Sequence, residues 1–299
     1  MQIQSLSILI PTEGCVNKCK FCVSRMHENK YVLKIKFPKD GVYTQREFNE
    51  HNIDKFEFYK RLKFSRDNNC NTAILTGIGE PLQNKMYLEF FHAMNQDLPN
   101  PFVWIEIQTS GVMLMQDSNL TFLKNIGVDT ISLSLSNIFD SKSNAEMCGI
   151  SEKLYFDINE LCREIKSHNF NLRLSLNMTS VYDNATPAQI LQRAKDLGAD
   201  QVTFRKLYSS GENKDIDNWV EENKMEANAF GRLRDFIKNE GVALEILPFG
   251  AVKYSYEEIG LVIDEDCMAK EIKDTYKYLI LRENCRLYSR WDDKGSLIY

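Results

Sequence analysis

Six short apolar runs, each followed by a longer helical pattern, fill the chain from residue 4 to about residue 240. This alternation constrains the fold more than any other feature. The strand-like runs lie at 4–10, 72–76, 102–108, 128–135, 172–178 and 200–207. Helical periodicity follows at 46–69, 85–95, 119–125, 154–167, 187–197 and 225–239, with Gly198 and Gly241 as stops for the last two. Strands alternating with helices imply an α/β fold, a parallel sheet with helices outside. Periodicity does not say whether such a sheet closes. The tail differs. Runs at 276–282 and 286–290, with Glu283-Asn284 between them, predict a C-terminal β-hairpin extension. A core over 1–245 and an extension over 246–299 covering the substrate site are expected.

The 299 residues, 43% hydrophobic and 26% charged, suffice for a large core. A net charge of −5 gives no overall basic footprint for duplex nucleic acid. No apolar stretch approaches 18 residues, so no membrane span is expected. The first eleven residues carry no basic region before an apolar run and read as a strand, not a signal peptide. The eight cysteines are dispersed except for one cluster, a usage that fits metal ligands or buried thiols in a reducing cytoplasm.

That cluster follows the first run directly: Cys15, Cys19 and Cys22 at CxxxCxxC spacing. Thiolates are soft ligands that favour iron–sulfur clusters, zinc or copper(I). Structural zinc takes four protein ligands, and the nearest candidates for a fourth are Glu13, His27 and Cys70. Three cysteines on a four-iron cubane leave one iron open to a ligand that takes part in chemistry.

With Phe21 before its last cysteine, this loop resembles the defining motif of the radical S-adenosylmethionine (SAM, AdoMet) superfamily. The second run ends in Gly77-Ile78-Gly79-Glu80-Pro81, similar to the family's Gly-Gly-Glu-Pro motif, which receives the amino group of AdoMet. Glycine lets backbone approach a ligand, and carbonyls with a carboxylate suit an ammonium group. Here Ile78 separates glycines that many members have adjacent. The third run ends in Thr109-Ser110-Gly111, similar to the family's Thr-Asn-Gly ending with serine for asparagine. The fourth carries Ser132, Ser134 and Ser136 on one face by the strand period of two. Of these, the resemblance favours Ser134 for the AdoMet carboxylate. Asn177, on the fifth, matches a place where the family touches the AdoMet ribose. Arg205, on the sixth, is a candidate for that carboxylate or for an anionic substrate. All lie at or near strand C-terminal ends, where parallel barrels bind ligands.

The resemblance covers residues 4 to 210 and implies a partial (β/α)6 TIM-like barrel. It also implies one [4Fe–4S] cluster on Cys15, Cys19 and Cys22, AdoMet as the second cofactor, and an electron donor such as flavodoxin or ferredoxin. In the family the reduced cluster passes one electron to the AdoMet sulfonium. The 5′-deoxyadenosyl radical so formed abstracts hydrogen from a substrate. Some relatives carry further clusters in a cysteine-rich extension. Only Cys267 and Cys285 lie in this tail, so one cluster is expected. Cys267 is a candidate hydrogen-atom donor, as in radical epimerases, or a spectator thiol.

Substrate recognition is expected in the loop over 23–43, with Arg25, His27, Lys30, Lys34 and Lys36, and in the tail. The tail holds Arg282, Arg286 and Arg290 with Tyr278, Tyr288 and Trp291. Basic and aromatic side chains together suit a small anionic molecule such as a nucleotide, although charge on an exposed strand edge also blunts aggregation. A peptide substrate is the alternative. A non-catalytic redox sensor or metal-stabilised interaction protein would keep the cysteines but have no use for Glu80 or the polar strand ends.

Overall fold

A computed structural model of the protein describes residues 2–26, 53–116, 118–247, 251–264, 275–291 and 294–299. Its strands are β1 (Gln2–Leu9), β2 (Thr72–Thr76), β3 (Trp104–Thr109), β4 (Thr130–Leu135), β5 (Asn171–Met178), β6 (Gln201–Lys206), β7 (Val242–Ile246), β8 (Val252–Tyr256), β9 (Ile259–Asp264), β10 (Thr275–Leu281) and β11 (Leu287–Tyr288). Among the described residues these form one sheet in the order β11-β10-β1-β2-β3-β4-β5-β6-β9-β8-β7. The run from β10 through β1 to β6 and on to β9 is parallel throughout. Antiparallel β8 and β7 extend one edge, and antiparallel β11 the other. The sheet does not close, so the architecture is a partial TIM-like barrel.

All six expected strands are present, and their ends shift by at most two residues. The tail does form a hairpin, β10 with β11, but β10 also pairs in parallel with β1 at the far end of the sequence. Local pattern reveals a turn and its flanking strands. It carries no information about a parallel partner more than 260 residues away. The strands β7 to β9 and the helices Ser141–Cys148 and Lys214–Asn223 were not expected. The first of these helices is rich in serine and asparagine and has only a short apolar stripe. Its ends are nonetheless well specified: the Asp140 carboxylate accepts from the backbone N–H of Ser143, and Gly149 closes it at φ 57°. Helix Lys55–Asp67 starts after the Asp54 cap, whose carboxylate accepts from the N–H groups of Phe56 and Glu57. The earlier part of the helical pattern, residues 46–52, lies outside the described residues.

The strand period of two separates two faces. Ile8, Leu75, Ile107, Leu133, Leu174 and Phe204 point to the helix-covered side and are buried in one continuous core. The alternate positions form a mostly polar face: Glu106 and Gln108, then Ser132 and Ser134, Arg173, Ser175 and Asn177, and Gln201, Thr203 and Arg205. Tyr278 and Ile280 of β10 continue this face and pack with Tyr288 and Trp291 into a small separate cluster. A fully apolar sheet would bury both faces alike. This one keeps hydrogen-bonding groups on the side away from the helices. No described helix is long and apolar enough to cross a membrane.

Candidate cluster and cofactor site

The loop after β1 carries the three cysteines, with Cys15 the most open and Cys19 and Cys22 half-buried. Its shape is fixed from several sides. Cys22 closes a turn onto the Cys19 carbonyl and starts the short helix Val23–Met26, whose Arg25 and Met26 N–H groups donate to the Cys22 carbonyl. Phe21, the aromatic inside the motif, stacks on Trp219 with ring centroids 5.7 Å apart. The N–H groups of Lys18 and Lys20 donate to the carbonyls of Gly149 and Met147, each at 3.2 Å. Those carbonyls end helix Ser141–Cys148 and lack intrahelical partners, so the loop completes the helix and the helix holds the loop. Gly149 is required there: a β-carbon would come 2.5 Å from the Lys18 carbonyl oxygen.

The surroundings of these cysteines oppose thiolate formation in the absence of a counter-charge. Desolvation by the surrounding protein pushes the Cys15 thiol up to about 11, and the nearby Glu80, Cys19 and Cys22 act in the same direction. Cys19 is raised further, first by a hydrogen bond with the Cys148 thiol and then by burial. A cation would reverse this balance and release the protons. Among the described residues, no three His, Cys, Asp or Glu side chains converge as a lone metal ion requires. In a cubane each iron takes its own thiolate, and three mutually sensed cysteines on one loop fit that donor pattern.

Glu80 stands beside the loop, 3% exposed. Its Oε1 accepts from the Thr109 hydroxyl at 2.6 Å, and its Oε2 accepts from the Ser110 N–H at 3.0 Å and the Ser110 hydroxyl at 2.8 Å. Burial nevertheless holds the carboxyl above its ordinary range. The Asn17 amide donates to the Ser110 hydroxyl at 2.8 Å, so a residue from between the cysteines is wired to Glu80. Gly79 faces the loop so closely that a β-carbon would strike the Gly14 carbonyl and the Thr12 hydroxyl. Thr12 Oγ1 is buried and has no hydrogen-bond partner among the described residues. Gly77 likewise leaves only 2.8 Å between a would-be β-carbon and the Ile10 carbonyl. The glycines therefore let the β2 turn and the cysteine loop share one space.

Further along the same sheet end, the Asn177 amide donates to the hydroxyls of Ser134 at 3.2 Å and Ser136 at 3.4 Å. Arg205 is its register partner on β6. The Nε of Arg205 is buried without a hydrogen-bond partner among the described residues. Arg173, two steps deeper on the same face, is by contrast fully occupied. It pairs with Glu106 and makes two bonds to the Gln201 side-chain oxygen at 2.9 and 2.6 Å. The structure thus gathers Gly77, Gly79, Glu80, Thr109 and Ser110 against the cysteine loop, with Ser134, Asn177 and Arg205 on adjoining strands.

Of the candidates for a fourth metal ligand, Cys70 is buried at the opposite end of β2, its thiol pushed up to about 12 by burial. Glu13 is exposed. His27, Lys30, Lys34, Lys36 and the candidate hydrogen-atom donor Cys267 lie outside the described residues. In the tail Arg282 is buried, not on an exposed edge; its guanidinium lies 5.0 Å over the Tyr288 ring and donates to the Trp291 carbonyl. Sequence reasoning missed Asn17, Thr12 and Cys148. The first two lie in or beside the motif, where a polar residue flanked by ligands was the available signal.

The family model described as the radical SAM superfamily matches residues 9–197. No curated protein matches the chain. Among solved structures, coproporphyrinogen III oxidase (HemN) from Escherichia coli, described as a radical SAM enzyme, is 13% identical with a TM-score of 0.54. The match covers 94% of this chain and 63% of that one, so this chain spans less than two thirds of its length. Native anSMEcpe with bound AdoMet and Cp18Cys peptide is 12% identical with a TM-score of 0.52, covering 98% of this chain and 75% of that one. At such identities the likeness is one of fold.

Proposed function

This chain belongs to the radical SAM superfamily and is an enzyme of that family, and we propose that its substrate is a small polar anion such as a nucleotide. The observation that carries the substrate class is the polar sheet face ending in Arg205, a half-buried cation beside Asn177 and Ser134 whose Nε is buried without a partner among the described residues. Burying an apolar substrate there would strand these groups without partners.

Family membership brings a [4Fe–4S] cluster and AdoMet as cofactors, and the residues gathered here suit both. In this reading Cys15, Cys19 and Cys22 each hold one iron. Glu80 and the backbone around Gly77 and Gly79 receive the AdoMet ammonium, with Thr109 and Ser110 fixing the carboxylate in place. Ser134 and Asn177 serve the AdoMet carboxylate and ribose. Arg205 supplies the positive charge for that carboxylate or for the substrate. When bound, the cofactors supply the one-electron cleavage that begins hydrogen abstraction, and the electron is assigned to a flavodoxin or ferredoxin. The protein's own part is to orient the groups and exclude water. The segment 246–299 is assigned to the substrate side because Tyr278, Tyr288 and Trp291 cluster on the polar face. Free thiols of this number suit a reducing cytoplasm.

The test is anaerobic. The protein is loaded with iron and sulfide, reduced with dithionite and given AdoMet, and 5′-deoxyadenosine is followed by mass spectrometry. The Cys15/Cys19/Cys22→Ala triple variant is the control. Turnover stimulated by members of a nucleotide panel supports the substrate class. Stimulation by peptides alone overturns it.

A further inference from the structure

Cys148 sits opposite Cys19, and nothing about the cysteine motif requires it. The hydrogen bonds from Lys18 N–H to the Gly149 carbonyl and from Lys20 N–H to the Met147 carbonyl register residue 18 with 149 and residue 20 with 147. Cys19 and Cys148 therefore face each other, as the residues between two such bonds do in an antiparallel pair, where side chains come closest. The two thiols are close enough to perturb each other, Cys19 raised and Cys148 lowered, each first by the other. Cys148 is 4% exposed, and its sulfur lies 3.6 Å from the Ser136 hydroxyl and 3.8 Å from the Asn144 side-chain oxygen. Those two polar groups and the backbone register hold the sulfur in one place, opposite one ligand of the three.

We propose that Cys148 is a positioning residue for the cluster: its S–H donates to the Cys19 sulfur and raises the reduction potential of the bound iron. This rests on the reading that Cys19 is a cluster ligand. The physical reason is charge. Reduction adds an electron to the cluster and its thiolates, and a donor aimed at a ligand sulfur stabilises the more negative state. Because Cys148 itself is buried, water cannot readily take the donor's place if it is removed. Ser136 ties the same thiol to the AdoMet end of the sheet, since its hydroxyl also accepts from Asn177.

The experiment compares wild type, Cys148→Val and Cys148→Ser, all loaded anaerobically, by iron and sulfide content and by spectroelectrochemistry without AdoMet. Valine fills the space without a donor; serine keeps a donor. The valine variant is expected to load the cluster. At the wild-type midpoint potential its reduced-to-oxidised ratio is expected to fall about fivefold, the effect of one ordinary hydrogen bond. Serine is expected to recover most of that loss. A valine variant that titrates like wild type, or a serine variant shifted as far as valine, overturns the proposal. Cys19→Ala separates the two readings. If that variant still forms the complete wild-type cluster, the ligand assignment is wrong; if it does not, a null result at Cys148 bears on the proposal alone.

Discussion

Ser110 donates to the same oxygen of Glu80 twice, through its backbone N–H and through its hydroxyl, while the hydroxyl also accepts from Asn17. One short side chain thereby sets the angle of the carboxylate and ties it to the cysteine loop. Ser110→Ala keeps the backbone bond and loses the other two. AdoMet affinity is expected to fall about five- to tenfold, measured by calorimetry on the loaded protein. Unchanged affinity would mean that the N–H alone sets the carboxylate.

Glu80 also predicts a pH dependence. Burial raises its folded pKa above the ordinary value of 4.5, against the pull of hydrogen bonds from Thr109, Ser110 and Leu82. The folded state therefore binds this proton more tightly than the unfolded chain. The stability it contributes is full below the unfolded pKa and is lost as pH rises through the folded one. Glu80→Gln, without AdoMet, is expected to melt higher than wild type at pH 7 and to lose that advantage near pH 4, while its stabilisation by AdoMet disappears. Calorimetric melting at both pH values is the check. A wild type that melts higher at pH 7 would show that hydrogen bonding outweighs burial at this carboxylate.

Gly79→Ala places a methyl group against the Gly14 carbonyl and the Thr12 hydroxyl. One of these contacts is backbone, so the loop itself must move. Destabilisation of about 1–3 kcal/mol is expected in chemical denaturation, together with reduced iron content after reconstitution. Full iron loading with unchanged stability would show that the loop yields freely.

Phe204 lies on the helix-covered face of β6 and is fully buried. Phe204→Ala is expected to cost about 3–5 kcal/mol in the same assay, with the cluster spectrum of the folded fraction unchanged. A lost spectrum would mean that this core residue also shapes the site.

Much of the site was legible because its signals are local. Cys15, Cys19 and Cys22 sit in one loop, and Glu80 follows its strand directly, so short motifs that resemble the family's pointed to them as candidates. The six core strands were equally readable, since a period of two set against a period of 3.6 is a short-range signal. What could not be read is what depends on distant pairing. Cys148 looks like any stray cysteine until folding places it against Cys19, 129 residues earlier. Arg173 and Arg205 share a sheet face and are chemically identical. Only the structure reveals that Glu106 and Gln201 occupy the first, while the Nε of the second has no partner among the described residues. The strand over 275–281 announced its hairpin partner but not its parallel neighbour.

That parallel neighbour has a consequence for how the protein is made. β1 lies between β2 and β10, and Ser5 reaches across to the Lys277 carbonyl. On a ribosome the β2 side can be satisfied soon after residue 76 emerges, while the other side waits for residue 275. At ordinary synthesis rates that interval is roughly 10–40 s. Throughout it, the strand that launches the cysteine loop keeps one row of N–H and C=O groups unclaimed and open to other chains. The nascent polypeptide is thus most vulnerable at the element that its chemistry depends on first.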